Sequence, residues 1–415
     1  MLCFIFSEIK FLIGAMKTLN AIFITLFVLS FTYFISQFYR SSLGILSNEI
    51  SIEYNLNSEQ IGRLGGIFFL SFALVQIPIG ILLDRFNAKS IIVGLLIVIY
   101  CGTLIFPVAM NYNTLLLART LQGIGCAVCL MGPLVIISKL APKNKFALYS
   151  GIVMGVGGLG GLVATYPFNF LIEIHGWRKS FLLTSFLILL NIITIILCSK
   201  RIPLKNATKR GLNLQAFANI IKNRNFLYML PMSVFGYSSF AFLLTLWGSK
   251  YLSIVQSYDS NFISISLMIM ALSWTIGSIS FGFLENKFKK KKVIILTSAV
   301  FLAFLIFILS FLEGVGKEIM LVIFLLIGFT GAFTLVLISH YRALFDAKII
   351  GKVLTTANLF NFSGVFFVQW LIGFILYKLE SYFELSSKTN FAIAFSCVPL
   401  FLIISCYFYM KTNEK

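Results

Sequence analysis

The chain has 415 residues, of which 59% are hydrophobic and 11% charged, with a mean hydropathy of +0.97. A soluble protein carries roughly a quarter charged residues to cover its surface, so a set of water-soluble domains is excluded and a polytopic α-helical membrane protein remains. The net charge of +19 fits a nucleic-acid partner only if the basic residues share one solvated surface, and their positions decide against that.

About 20 consecutive apolar residues cross a hydrocarbon core. Residues 1–17 form a short, apolar N-terminal segment on the inner side, too short to span. Met16-Lys17 looks like a natural start, and initiation at Met1 and at Met16 are both left open. Twelve stretches then meet the length, at 18–41, 61–82, 90–110, 114–137, 146–172, 180–198, 226–249, 262–284, 293–312, 319–341, 350–377 and 389–410. They are too long for barrel strands and lack dyad alternation. The expected fold is all-α, with an N-terminal six-helix bundle over 18–198, a basic linker over 199–225, a C-terminal six-helix bundle over 226–410 and a tail over 411–415.

Lys and Arg accumulate in cytoplasmic loops. With both termini inside, most of the 33 basic residues fall in inner segments. The largest group is the acid-free run of Lys200, Arg201, Lys205, Lys209, Arg210, Lys222 and Arg224. The positive charge is therefore an orientation signal, and no nucleic-acid partner is expected. The Lys-, Asn-, Ile- and Phe-rich usage points to an AT-rich bacterial genome, hence to an inner membrane. The lipid bilayer and a small-molecule substrate are the expected partners of a monomer.

In span one, Tyr33, Gln37 and Arg40 are spaced by four and three and share a helical face. Such a stripe suits a carboxylate, with Arg as the fork donor; the competing role for Arg40 is an interfacial anchor. The loop after span two reads Gly80-x-Leu82-x-Asp84-Arg85-x-x-x-Lys89. Its echo after span eight places Gly282, Asn286 and Lys287 at the same offset. Span four opens Leu115-x-x-x-Arg119-x-x-Gln122-Gly123-x-Gly125, with Arg119 at a depth where a charge is costly. Span five carries Gly151, Gly155, Gly157, Gly158, Gly160 and Gly161. Tyr237 and Trp247 lie in span seven, His340 ends span ten, and Asn358 and Asn361 are cofacial in span eleven. Intramembrane amides of this kind either touch a ligand or bond helices together.

The span two–three loop and the span-four motif, at their proper helices among twelve spans, resemble the signatures of the major facilitator superfamily. That resemblance implies two six-helix halves rocking about a midplane site. It implies gating by Gly80, Asp84, Arg85 and Lys89, with a weaker second-half lock where Asn286 replaces the acid. It adds Arg119 and Gln122 to the candidate substrate-binding set of Tyr33, Gln37, Arg40, Tyr237, Trp247, Asn358 and Asn361, and links Arg119 to proton coupling. Span one is similar to first helices of organic-anion and nutrient importers. Span five is similar to the glycine-rich helix of drug–proton antiporters, but Gly157-Gly158 replaces the usual Gly-Pro pair, which counts against multidrug efflux.

The expected function is transport of a small polar or anionic nutrient, with proton-coupled efflux of amphipathic compounds as the alternative. No cofactor, metal or enzymatic activity is expected: no phosphate-binding loop or nucleophile–base arrangement is present, and Cys126-x-x-Cys129 lies mid-span without His partners. No acidic residue lies at the centre of a span, so proton coupling through the substrate and plain uniport both stand.

Overall fold

A computed structural model describes residues 2–140, 145–198, 214–346 and 349–414, with side chains described from residue 24 onward. Every predicted span is helical. The first helix runs Leu2–Glu53. Ten further stretches are long and apolar enough to cross a bilayer: Ser58–Leu83, Ala88–Val108, Tyr112–Ser138, Trp177–Leu197, Arg224–Ile254, Ser260–Phe288, Lys291–Phe311, Lys317–Leu344, Ile350–Tyr382 and Ser387–Tyr409. A pair bent by 41°, Leu148–Val163 and Tyr166–His175, forms span five. The bend precedes Pro167, whose ring cannot continue the hydrogen-bond ladder. With the first helix these make twelve.

The largest boundary differences from the sequence expectation are at span one and the linker, and the first helix already begins at Leu2, inside the expected 1–17 segment. Span one continues to Glu53 because Leu43, Leu46 and Ile50 keep a buried stripe beyond the apolar run. The linker is not all loop: Leu214–Lys222 is a helix that packs its buried Ile220 toward spans seven and eleven. Lys200, Arg201, Lys205, Lys209 and Arg210 lie outside the described residues.

Polar residues at one end of the bundle start the helices. Asn57 and Gln60 form a reciprocal capping box on span two, and Asn111, Asp259 and Ser386 cap spans four, eight and twelve. Each satisfies backbone donors that an apolar helix start leaves open. This is the outer end in the charge-derived orientation. The Lys317 ammonium, 3.1 Å from Asp259, and the Phe262 backbone N–H hold that carboxyl below its usual range.

The packing repeats between halves. Spans one and five, two and four, and three and six pack together, as do seven and eleven, eight and ten, and nine and twelve. Between halves, span two lies along span eleven and span five meets span eight. Small residues let backbones approach where lipid offers no hydrophobic drive: a Cβ on Gly157 would enter the Tyr33 ring, and one on Gly160 the Phe34 carbonyl. Gly160→Ala is expected to destabilise the protein by about 1–3 kcal/mol, read as a lower Tm in detergent. Gly155→Ala, with nothing within 4 Å, should cause no loss.

Candidate functional site

At mid-depth between the halves lies a cavity of about 450 Å³, its open mouth included. Span one supplies Gln37, Arg40 and Ser41, and span five supplies Gly158 and Gly161. Span seven adds Tyr237, Phe240, Leu244 and Thr245, and span eight adds Ala271, Trp274 and Thr275. Arg40 is the one formally charged residue of this lining.

The helical spacing in span one explains the placement of Gln37 and Arg40. Arg40 is 7% exposed. Its guanidinium carbon lies 4.4 Å from the Phe72 ring centroid and 4.8 Å from that of Phe362. Those two centroids are 4.5 Å apart, so both rings back the guanidinium from one side. Cation–π contact offsets part of the cost of the buried charge, and the buried Nε donor is left without a protein partner. Tyr33 is buried one turn before Gln37 and packs on span five at Gly157. Tyr237 lies 5.9 Å from the Phe362 ring.

Sequence reasoning missed Trp274, Ser41 and Thr275. Trp274 stacks on Phe240 at 5.9 Å, and its indole N–H is buried and unpartnered. A Trp at the centre of an apolar span, away from both interfaces, was the available signal.

The other candidates lie elsewhere. Arg119 is fully buried inside the first half and is absent from the cavity lining. It donates to the Tyr39 carbonyl and to the Gln122 side chain, each at 3.0 Å, and lies 4.6 Å from the Phe68 ring. Its Nε and second terminal nitrogen have no partner, and among the described residues no carboxylate pairs with it. Asn358 and Asn361 are half-buried on span eleven, outside the lining. His340 is bound to the Tyr409 hydroxyl at 2.5 Å and the Asn413 carbonyl at 3.1 Å, joining span ten to the tail. Trp247 is also outside the cavity: it is 1% exposed and donates to the Gln369 carbonyl at 3.1 Å. A π-helical turn at Leu243–Trp247 shifts the register of span seven there.

Trp247 belongs to a seam that closes the outer end. Lys250 donates to Ser51 at 2.8 Å, and Ser58 donates to Glu380 at 2.8 and 2.9 Å. Ser260 donates to Asn169 at 2.7 Å, and Asn169 donates to Asn261 at 3.4 Å. Each of these bonds joins the two halves. Gly62 and Gly373 allow close approach: a Cβ on Gly62 would lie 2.6 Å from the Gln369 carbonyl, and one on Gly373 2.4 Å from the Ser58 carbonyl.

The inner end differs. Among the described residues no hydrogen bond joins the halves there. A Cβ on Gly80, Gly151, Gly282 or Gly351 would meet nothing within 4 Å, so Gly80 is not used for tight helix packing in this conformation. Arg85 is exposed and Lys89 half-buried; the Asp84 side chain lies outside the described residues. In the second-half loop Asn286 and Lys287 are exposed. The acid that bridges helices is the preceding Glu285, which accepts from Ser339 on span ten and lies 3.7 Å from Lys291. The second half therefore keeps a carboxylate in this loop, one residue from the expected position.

Two bundles related by a packing repeat, sealed at one end around a midplane cavity, define a membrane carrier. A sequence model of the Major Facilitator Superfamily matches residues 29–369, and the chain belongs to that family. The fold is shared with solved structures. A bacterial homolog of the human lysosomal transporter Spinster superposes with a TM-score of 0.74 at 20% identity, covering 93% of this chain and 95% of that one. A D-xylose–proton symporter gives 0.76 at 14% identity, covering 95% and 98%. Curated relatives match over shorter segments. The efflux transporter inpD of Emericella nidulans is 29% identical over 126 residues, 30% of this chain and 24% of that protein. The gentisate transporter of Corynebacterium glutamicum is 24% identical over 143 residues, 34% and 32%. The nitrite extrusion protein of Bacillus subtilis is 26% identical over 154 residues, 37% and 38%. The matches thus span well under half of these relatives.

Proposed function

We propose that this transporter carries a small anionic nutrient into the cell by alternating access, with Arg40 as the anchor for the anion. The observation that carries this reading is the lone guanidinium of the midplane cavity, held by Phe72 and Phe362 with an unpartnered donor. A desolvated Arg gains most from a carboxylate or similar fork acceptor. Gln37 and Tyr237 add neutral polar groups beside it. Two of the relatives named above are associated with anions, gentisate and nitrite. The efflux pumps among the relatives support the alternative of export, but an amphipathic cation would meet an unscreened positive charge.

In the proposed cycle the closed outer seam and open inner end form the inward-facing state, with both termini in the cytoplasm of a bacterial inner membrane. Outward opening breaks the seam and closes the inner loops through Gly80, Asp84, Arg85 and Lys89, and through Gly282, Asn286 and Lys287 with Glu285 as the second-half acid. Arg119 and Gln122 tie span four to span one at Tyr39, so they transmit motion without touching the substrate.

The test is uptake of radiolabelled anions, neutral sugars and organic cations by cells with the gene deleted and restored. Restored uptake confined to anions is expected. Restoration of sugar or cation uptake instead would contradict the reading. Repeating the measurement with a proton uncoupler separates coupled entry from uniport.

A further inference from the structure

Span five presents Gly158 and Gly161 to the cavity, so that wall is backbone without side-chain bulk. A Cβ on Gly158 would have only Thr275 Oγ1 near it, at 3.9 Å, and one on Gly161 only Ser41 Oγ, at 3.8 Å. Spans seven and eight contribute Phe240 and Trp274, stacked with an interplanar angle of 18°. The cavity therefore combines an aromatic wall with a bare backbone wall, a shape that favours a flat ligand body. Its lining holds a single formal charge, at Arg40, and no carboxylate. One anionic group is matched; a second would be desolvated without a partner, at a cost of several kcal/mol. The Trp274 indole N–H is the second unsatisfied donor, and a buried donor is worth most when the ligand brings its acceptor.

Resting on the anion reading above, we propose that the substrate is a planar monocarboxylate, aromatic or conjugated, bearing a second hydrogen-bond acceptor for Trp274. Arg40 fixes the carboxylate, the Phe240–Trp274 wall takes the planar body, and the indole N–H selects substituted over unsubstituted rings.

The test is equilibrium binding to the full-length protein purified in detergent, by calorimetry. The probes are benzoate, 3-hydroxybenzoate, cyclohexanecarboxylate, phthalate and benzamide. Loss of ring stacking should weaken cyclohexanecarboxylate about tenfold against benzoate. Phthalate and benzamide should bind more weakly still. 3-Hydroxybenzoate should bind more tightly than benzoate, and Trp274→Phe should remove that difference. Equal binding of cyclohexanecarboxylate and benzoate, both lost in Arg40→Met, overturns the planar-substrate inference and leaves the anion reading standing. Persistence of the hydroxyl preference in Trp274→Phe overturns the role of the indole. Binding of benzamide without any carboxylate, or no carboxylate binding at millimolar concentration, overturns the anion reading and this inference together.

Discussion

Arg40→Ala is expected to reduce anion uptake by roughly 30-fold or more while the protein still inserts. Removing one partner of a desolvated charge pair costs about 2–5 kcal/mol, and 1.4 kcal/mol is a factor of ten in affinity. Arg40 also packs on Phe72 and Phe362, so truncation to Ala removes apolar contact between halves as well as charge. Arg40→Met separates the two, because it keeps an unbranched stem against the rings. It should fold with a near-normal Tm and still fail to transport. Arg40→Lys should be intermediate, since an ammonium keeps the charge without the planar fork. Normal uptake by Arg40→Met would remove the anchor role.

Covalent closure of the outer seam is expected to stop transport completely. Ser58 and Glu380 meet across spans two and eleven, so cysteines at these positions fall within reach of a short bifunctional thiol reagent. The seven native cysteines must first be replaced. If outward opening requires the seam to part, cross-linked protein in proteoliposomes should show only the uptake of empty vesicles, with recovery on reduction. The uncross-linked double variant supplies the control, because it too lacks the Ser58–Glu380 bond. Full transport by cross-linked protein would mean that substrate enters by a route that leaves these spans joined.

The spans were legible because lipid leaves no alternative: every backbone group must be satisfied inside a helix, so apolar length reports the fold. The overrun of span one to Glu53 was missed because Leu43, Leu46 and Ile50 sit among polar residues, and composition hides a narrow stripe. The span-one face was legible through spacing alone, and the structure lines the cavity with Gln37 and Arg40 from it. Trp274 was legible only as a Trp at the centre of an apolar span, since span eight carries no charge or motif at that depth. The outer seam was not legible. Lys250 and Glu380 look like ordinary outer-end charges until the halves are brought together. Trp247 instead bonds span eleven through the Gln369 carbonyl, at the end of a π-helical turn that the sequence does not announce. Asn286 was singled out by alignment with Asp84, whereas the helix-bridging acid is Glu285.

Solute counterflow in proteoliposomes addresses the carrier mechanism and its anionic substrate together. Vesicles loaded with the unlabelled anion whose uptake the restored gene supports, and diluted into a trace of the labelled compound, should accumulate label transiently above equilibrium, because each return of the cavity exchanges one anion for another. Arg40→Met vesicles should show no overshoot. Label that only equilibrates in wild-type vesicles, or an overshoot that survives Arg40→Met, would contradict an Arg40-anchored anion carrier working by alternating access.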